Sequence, residues 1–284
     1  MRVRKAVITA AGLDHLLPLQ RLVDRQGVEK TALQLILEEV ATAGVEEVAV
    51  IIRPGDTEAF RNAVGANSSH LRFIEQTQPR GYGDALLRAR DFTAGEHFLH
   101  LVGDHLYLSS TQTSCARQLV ALAEVEACSV SAVQATRENK LPFFGAIGGR
   151  RVARQHHLYD VTHVLEKPTP TEAEQKLLVA GLRSGYYLCM FGMHVLSPLV
   201  MNLLAETAAN PDVKAAPLAS ALATLAERER YLAFEIDGAR YNIGVKYGLL
   251  MAQLALSLSG NDRDVILTDL LQLLIERPGQ GGAS

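Results

Sequence analysis

The segment Leu71–His105 decides the fold, and it reads LRFIEQTQPRGYGDALLRARDFTAGEHFLHLVGDH. Short apolar runs at 71–74 and 98–102 predict two strands, with a glycine-containing loop and a helix between them. The second strand stops abruptly at Gly103-Asp104. Because ligands of open α/β sheets bind at the carboxyl ends of strands, Asp104 is placed where a ligand or its metal would be held.

The alternation of strand and helix extends along most of the chain and predicts the fold class. An amphipathic helix at Thr31–Ala43 lies between apolar strands at Lys5–Ala10 and Val48–Ile52, and Gly44 is its natural stop. This spacing predicts an α/β fold: a Rossmann-like mixed, mostly parallel sheet flanked by helices. Further helices are expected at 60–64, 85–90, 112–125 and 218–228 and from Pro198, and further strands at 129–134, 145–147, 159–161, 164–167, 186–193, 232–236 and 241–245.

The chain is expected to divide into a large domain and an appendage. At 284 residues it is near the upper size for one hydrophobic core. We assign residues 1–252 to the large α/β domain and 253–284 to a C-terminal extension. That extension contains the end of a helix at 247–258, a helix at 265–275 and a glycine-rich tail at 279–282 that is expected to be flexible.

Composition and charge exclude several classes of function. The formal net charge is -3 without a basic stripe, so no nucleic-acid partner is expected. The apolar stretches are too short or too interrupted to cross a bilayer, so no membrane partner is expected. The basic and then apolar N-terminus leads into a strand and is not interpreted as a signal peptide. Three cysteines without metal-ligand spacing fit buried thiols of a cytoplasmic protein.

Three candidate ligand contacts follow predicted strands in the first half of the chain. Ala11 and Gly12 form a small turn that lets the backbone approach a base or phosphate, although a plain strand-to-helix turn also explains them. Gln76, followed by Gly81, offers donors and an acceptor for the edge of a base, or else belongs to an ordinary surface loop. Asp104 could bind Mg²⁺ beside a phosphate chain, or it caps a turn.

Two further candidates lie in the second half. Glu166 and Lys167 offer an acceptor for a hydroxyl group and a cation for a phosphate, with a surface ion pair as the alternative. Asn242 and Lys246 precede a helix, where the amide oxygen could reach a metal and the ammonium an anion. An ordinary turn before a helix is the alternative explanation for that segment.

The order of these segments is more specific than any one of them. They resemble the bacterial UTP–glucose-1-phosphate uridylyltransferase family, within the sugar-1-phosphate nucleotidyltransferases, from Lys5 to about Ala252. The motifs that carry the resemblance are KAVITAAG (5–12), EQTQPRGYGDALLRAR (75–90), FLHLVGDH (98–105), VLEKP (164–168) and ARYNIGVKYGLLMA (239–252).

The resemblance implies an enzyme that joins a nucleoside triphosphate, UTP, to a sugar 1-phosphate, glucose 1-phosphate. The products would be UDP-glucose and pyrophosphate, formed by in-line attack at the α-phosphorus with Mg²⁺ as cofactor. The roles it implies are nucleotide binding for Ala11, Gly12, Gln76, Gly81 and Gly103; sugar and phosphate binding for Gly145, Glu166, Lys167 and Lys246; metal binding for Asp104 and Asn242; and catalysis for Arg25, Lys167 and Asp104.

The chain departs from the family pattern in the loop that would hold the triphosphate. Family members follow the first glycine with Gly-Thr-Arg and then supply a catalytic lysine, whereas residues 13–18 here read LDHLLP. Asp14 places an acid where phosphates would lie. The lysine position aligns with Arg25, and Arg21 or Lys30 could replace it. The second metal-binding aspartate of the family corresponds to Asn242, which keeps an oxygen ligand but loses a charge.

Two functions therefore stay open from the sequence. The first is an active nucleotidyltransferase whose shifted cations neutralise the triphosphate. The alternative is a catalytically impaired relative that binds a nucleotide-sugar as a sensor or assembly subunit. The leucine-rich C-terminal helices are expected to form a homo-oligomer interface, or else to pack on the domain. The choice of base and of sugar is not readable from these residues.

Overall fold

The computed structural model describes residues 1–65, 71–210 and 217–276. The strands are β1 (Lys5–Thr9), β2 (Arg21–Val23), β3 (Glu29–Thr31), β4 (Glu47–Ile52), β5 (Leu71–Glu75), β6 (Phe98–Val102), β7 (His105–Ser109), β8 (Ser129–Arg137), β9 (Ala146–Arg151), β10 (Leu158–Leu165), β11 (Tyr186–Leu196), β12 (Tyr231–Glu235) and β13 (Gly238–Asn242). The helices are α1 (Ala32–Thr42), α2 (Thr57–Val64), α3 (Tyr82–Leu87), α4 (Arg90–Thr93), α5 (Cys115–Glu126), α6 (Pro170–Lys176), α7 (Pro198–Ala209), α8 (Leu218–Arg228), α9 (Gly248–Leu258) and α10 (Arg263–Ile275).

The described residues build one nine-stranded sheet in the order β5-β4-β1-β6-β11-β8-β12-β10-β9. Strands β5, β4, β1 and β6 are parallel neighbours, and β12 is parallel to β8. Strand β11 runs antiparallel to β6 and β8, and β10 runs antiparallel to β12 and β9. The sheet is therefore mixed, with most strands running one way, and the expected α/β fold class is confirmed.

Helices cover both faces of this sheet because the strands present apolar side chains to both. Along β1, Ile8 packs into the hydrophobic cluster beneath α1 and α5, whereas Val7 packs into the cluster beneath α3, α7 and α8. Thr31 begins α1 with a capping box, since its hydroxyl accepts from the Gln34 backbone and the Gln34 side chain accepts in return. This local signal and the buried Leu33 and Ile36 fix α1 close to its predicted bounds.

Several elements differ from the predicted ones. The strand expected at 241–245 lies at Gly238–Asn242, because β13 pairs antiparallel with β7, a strand that the sequence analysis did not predict. The β2–β3 hairpin was also missed. The two short strands expected at 159–161 and 164–167 form the single strand β10, with an irregularity in its pairing at Val161–His163. That irregularity explains the apparent break in the apolar pattern.

The C-terminal helices continue from the sheet domain. Helix α9 runs through position 252, so the proposed division at 252/253 falls inside a helix and stays a prediction. Helix α10 has no buried residue. The expected flexible tail at 279–282 lies outside the described residues. No helix among those described is both long and apolar enough to span a membrane. The three cysteines are buried and free of disulfides.

Candidate functional site

A cavity of about 550 Å³ opens at the carboxyl ends of β1 and β6, where the sequence predicts ligand binding. It brings together segments that lie far apart in the chain. Its lining includes nine of the predicted site residues, namely Ala11, Gly12, Gln76, Gly81, Gly103, Asp104, Glu166, Lys167 and Asn242. Three predicted residues, Arg25, Gly145 and Lys246, are not part of that lining.

Two glycines at the strand ends, Gly12 and Gly103, lack a side chain for different structural reasons. A Cβ added at Gly12 would meet nothing within 4 Å, so this position borders open space for a ligand. A Cβ added at Gly103 would lie 3.0 Å from the Thr9 carbonyl oxygen and 3.1 Å from the Ala10 Cβ. Gly103 is thus required for close packing of β6 against β1, which brings Asp104 into the cavity.

Gln76 follows β5 and is 5% exposed, in a position fixed by its amide nitrogen. Nε2 donates to Asp84 Oδ2 at 2.7 Å and to the Gly81 carbonyl oxygen at 3.3 Å. Arg88 donates to the other oxygen of Asp84 at 2.5 Å, which holds the carboxylate in place. The side-chain amide oxygen of Gln76, Oε1, has no hydrogen-bond partner among the described residues. It therefore remains available as an acceptor in the cavity.

Asp104 and Asn242 converge because β7 pairs with β13. The pairing places Asn242 opposite His105, and the Ile243 backbone donates to the Asp104 carbonyl oxygen at 2.9 Å. Both side-chain oxygens border Gly244: an ideal Cβ there would lie 3.2 Å from Asn242 Oδ1 and 3.8 Å from Asp104 Oδ2, and the Gly244 backbone donates to Asn242 Oδ1 at 2.8 Å. The two predicted metal ligands are therefore brought together by the fold.

The Asp104 carboxylate is held ionised by its neighbours. Burial alone would raise its pKa, but a hydrogen bond from His105 Nδ1 at 2.7 Å and the charges of His105 and Lys167 lower the pKa below its ordinary value. Oδ1 carries this bond, and Oδ2 is the oxygen of the carboxylate that lies near Gly244. The described residues contain no group of three or more His, Cys, Asp or Glu side chains that could hold a metal ion unaided.

Glu166 and Lys167 extend from the end of β10 into the same cavity. Burial raises the pKa of Glu166, against the opposing effect of the Lys167 charge. Lys167 has φ +46°, a strained backbone for a residue with a side chain. Gly145 lies behind Glu166, because an added Cβ would approach Glu166 Oε2 at 3.1 Å and Met190 Sδ at 2.9 Å. Gly145 thus supports Glu166 from outside the cavity lining.

Arg25 is placed away from the cavity, and this position does not support its predicted catalytic role. Its side chain Nε donates to the Ser259 carbonyl oxygen at 3.1 Å, and its own carbonyl oxygen accepts from the Asn261 backbone at 2.8 Å. The β2–β3 turn that carries Arg25 is therefore fastened to the end of α9. The physical reason is the hairpin, which turns this segment away from the strand ends.

The two alternatives to Arg25 also lie outside the cavity lining. Arg21 forms an ion pair with Glu29 across the β2–β3 hairpin. Lys30 Nζ lies 2.8 Å from Asp24 Oδ2 and 2.6 Å from a carboxylate oxygen of Glu38. Both cations are thus paired with acids of the hairpin and of α1.

Lys246 lines a neighbouring cavity, with its ammonium 5.2 Å from the centre of the Tyr247 ring. The residue follows β13 by four positions and does not line the cavity at the ends of β1 and β6. Its predicted role at the phosphate cluster is therefore not supported by its position.

Arg53 is a cation of the cavity that the sequence analysis missed. It follows β4 directly, and its Nε donates to the Ala11 carbonyl oxygen at 3.2 Å. Neither terminal guanidinium nitrogen has a hydrogen-bond or carboxylate partner among the described residues. The sequence pattern could have identified Arg53 as a cavity residue, because Arg53 occupies the carboxyl end of a predicted parallel strand.

A buried polar chain supports the floor of the cavity. The His100 ring contacts the hydroxyl groups of Thr9 and Tyr82, both at 3.3 Å from Nε2, and both of those residues line the cavity. His100 stacks on His194, with ring centres 5.7 Å apart, and His194 Nδ1 lies 2.5 Å from Ser131 Oγ. Burial lowers the pKa of His194 to about 4, and it lowers that of His100 as well.

Comparison with known proteins agrees with this arrangement. The chain is 28% identical to a UTP–glucose-1-phosphate uridylyltransferase of Streptococcus pneumoniae serotype 4, over 96% of this chain and 96% of that protein. It is also 28% identical to the UTP–glucose-1-phosphate uridylyltransferase YngB of Bacillus subtilis, over 97% of each chain.

Solved structures share the fold. A UDP-glucose pyrophosphorylase in complex with UDP-glucose superposes with a TM-score of 0.73 at 22% identity, covering 89% of this chain and 98% of that one. A UTP-bound enzyme from Acinetobacter baumannii gives a TM-score of 0.73 at 19% identity, covering 97% of this chain and 100% of that one. The model of the family described as Nucleotidyl transferase matches residues 5–255. The chain therefore belongs to the nucleotidyl transferase family.

Proposed function

We propose that the protein transfers a uridylyl group from UTP to glucose 1-phosphate, releasing UDP-glucose and pyrophosphate. The observation that carries the proposal is the cavity at the ends of β1 and β6, which combines small strand-end residues with Gln76, Asp104, Glu166 and Lys167. The uridylyltransferase names of the relatives in Streptococcus pneumoniae and Bacillus subtilis support the same reaction.

The reaction needs positioning and charge neutralisation more than covalent chemistry. An oxygen of the sugar phosphate forms a bond to the α-phosphorus while the bond from that phosphorus to the β-phosphate oxygen breaks. Pyrophosphate leaves with the bonding electron pair. Lys167 neutralises charge on the reacting phosphates, and Glu166 accepts from a sugar hydroxyl group. The free Gln76 oxygen accepts from an imide N–H, which uracil carries and cytosine lacks.

The donor set of the site fits Mg²⁺. Asp104 Oδ2 and Asn242 Oδ1 both lie beside Gly244, and Mg²⁺ in such enzymes is held by one or two protein oxygens together with substrate phosphates and water. A bound Mg²⁺ would supply charge neutralisation between phosphate oxygens. The neutral amide of Asn242 contributes less attraction than a second carboxylate, so Asp104 is the principal ligand in this proposal.

In this proposal Arg53 supplies the positive charge at the triphosphate that family members obtain from the catalytic lysine after their glycine loop. Its bond to the Ala11 carbonyl oxygen leaves the terminal nitrogens available for triphosphate oxygens. It also adds a positive charge to a cavity whose lining includes the acidic Asp14. The presence of two cations, Arg53 and Lys167, disfavours the alternative of a sensor that lacks activity.

Three further features belong to the proposal. Residues 1–252 form the catalytic unit, and 253–284 the extension. The buried free thiols fit a cytoplasmic location.

Helix α10 exposes Val265, Leu271, Leu274 and Ile275, each more than half accessible, which supports a homo-oligomer through the C-terminal helices. Sedimentation of the full chain tests this assembly, and a monomer at all concentrations would contradict it.

The reaction is tested by measuring pyrophosphate release from UTP, glucose 1-phosphate and Mg²⁺. We expect Asp104→Asn to lower kcat/KM roughly 100-fold, because the principal metal ligand loses its charge. Arg53→Gln should lower it by a similar factor through a lost charge-assisted contact. Arg25→Gln is the matched control and should retain activity. No turnover with any nucleoside triphosphate and sugar 1-phosphate would refute the proposed function, and equal losses in both arginine variants would refute the role of Arg53.

A further inference from the structure

Arg240 is a largely buried cation that pairs with no acidic side chain in the described part of the chain. It lies on β13, two positions before Asn242, and its Nε is buried without a hydrogen-bond partner among the described residues. A terminal nitrogen donates to Gln134 Oε1 at 3.1 Å, which is a neutral partner. Burial lowers the pKa of Arg240 from 12.5 to about 10, so the guanidinium is still charged at neutral pH. A buried charge without a counter-charge is costly and needs another source of stabilisation.

The nearest source of stabilisation is an aromatic ring. The guanidinium carbon of Arg240 lies 3.9 Å from the centre of the Phe144 ring and 5.8 Å from that of Phe191. At the shorter distance the guanidinium is in direct contact with the ring, whose negative face attracts the cation. Such contacts are strongest where water is excluded, as it is around the buried Nε. The cation and the Phe144 ring therefore hold each other in place.

Phe144 belongs to the side of the cavity at the ends of β1 and β6, the nucleotide cavity, that is proposed to bind the sugar. It directly precedes Gly145, and an ideal Cβ on Gly145 would lie 3.1 Å from Glu166 Oε2, so this backbone packs against that carboxylate. The Gly145 carbonyl oxygen accepts from the Met190 backbone at 2.8 Å, which fixes one side of the segment. The Phe144 ring anchors the other side and thereby affects how closely the backbone supports Glu166.

The same pair of residues also contacts the metal side of the cavity. The Phe144 ring lies edge-on to the His105 ring, with centres 6.3 Å apart, and His105 Nδ1 donates to Asp104 Oδ1 at 2.7 Å. Arg240 shares β13 with Asn242, and β13 pairs with β7, which begins at His105. The contact between one ring and one guanidinium thus joins both proposed metal ligands to the segment that supports the proposed sugar ligand.

We propose that Arg240 and Phe144 are positioning residues for the acceptor, because their contact sets the distance between the metal ligands and Glu166. The inference rests on the proposed function and deepens it, since the acceptor remains glucose 1-phosphate. Neither residue lines the nucleotide cavity, so neither touches a reacting atom. In-line attack requires the acceptor oxygen to be aligned with the α-phosphorus, and a misplacement of about 1 Å can cost a factor of about 100 in rate.

The test removes the ring or the charge and measures the KM of each substrate. In Phe144→Leu and in Arg240→Met, we expect the KM for glucose 1-phosphate to rise about tenfold and kcat to fall several-fold, an effect that one desolvated cation–π contact can supply. The KM for UTP should stay unchanged, because Gln76 and Arg53 are held by contacts with α3 and with the turn after β1. An equal rise in both KM values would indicate a general loss of structure and would overturn the positioning role.

Further variants separate the contact from the two side chains that make it. Phe144→Tyr keeps the aromatic face and should retain the wild-type KM for glucose 1-phosphate. The double variant Phe144→Leu/Arg240→Met should be little worse than either single variant, because both changes remove the same contact. Arg151→Met is the matched control: it removes a guanidinium that lies 5.7 Å from the Tyr159 ring and does not line the nucleotide cavity, so both KM values should stay unchanged. Additive losses in the double variant, or a KM in Phe144→Tyr as high as in Phe144→Leu, would overturn the inference.

Binding gives a readout that does not require turnover, and the two variants of Phe144 suffice for it if Arg240→Met fails to fold. UDP-glucose carries the sugar and UDP lacks it, so the ratio of their affinities in calorimetry reports the sugar side of the cavity. That ratio should fall several-fold in Phe144→Leu and stay unchanged in Phe144→Tyr. If the wild type turns over UTP and glucose 1-phosphate but the ratio is equal in both variants, the inference is overturned while the proposed function stands. If no substrate pair reacts, the proposed function fails, and a ratio unchanged by Phe144→Leu would then overturn the inference as well.

Discussion

The buried histidine pair predicts a pH dependence of stability that can be worked out from its environment. His194 is 2% exposed, and burial lowers its pKa from 6.5 to about 4. The unfolded chain therefore binds an extra proton between those two values. Stability from this group is fully present above pH 6.5 and falls as the pH approaches 4. Over the interval from about pH 7.5 to about pH 5, the linkage gives a loss of about 2 kcal/mol in the free energy of unfolding.

Urea denaturation of wild type and of His194→Asn near both pH values measures this loss. The asparagine amide can keep a hydrogen bond to Ser131 but does not titrate, so the pH-dependent loss should be smaller in the variant by about 2 kcal/mol, or roughly 30-fold in the unfolding equilibrium. His163→Asn removes an exposed histidine of the same sheet and is the control. Equal pH-dependent losses in wild type and His194→Asn would refute the reasoning.

Two other predictions concern the nucleotide cavity. Asp84→Asn removes the charge that orients the Gln76 amide, so the KM for UTP should rise roughly tenfold with little change in kcat. Steady-state kinetics that show an unchanged KM would contradict this role of Asp84. Asn242→Asp adds a charge beside Asp104, so the Mg²⁺ concentration for half-maximal activity should fall roughly tenfold; a metal titration with no shift would indicate that Asn242 does not contact the ion.

The sequence predicts the parts of the site that depend on strand ends. Gly103 and Asp104 follow an apolar run, and a sheet of parallel strands places such residues at one edge whatever the partners are. Gln76 is placed by the same argument. Here the local pattern and the tertiary arrangement agree, so the prediction needed no knowledge of distant contacts.

The cations could not be placed in this way, because their positions depend on pairings between distant segments. Arg25 follows the first glycine loop along the chain, but the β2–β3 hairpin and the end of α9 hold it elsewhere. Arg53 reaches the cavity because β4 is the sheet neighbour of β1. Lys246 is displaced by the pairing of β13 with β7, a strand whose short apolar pattern was not recognised.

The pairing of β7 with β13 has a consequence for the order of events during synthesis. The ladder β5-β4-β1-β6 contains only residues up to Val102, so this half of the sheet can form while the ribosome is still translating the remainder. Asp104 meets Asn242 only after β13, the last strand, has emerged. Closing such a distant contact is slow compared with local structure. The nascent chain therefore forms the four-stranded ladder that carries Arg53 and Gln76 early, and it brings Asp104 and Asn242 together last.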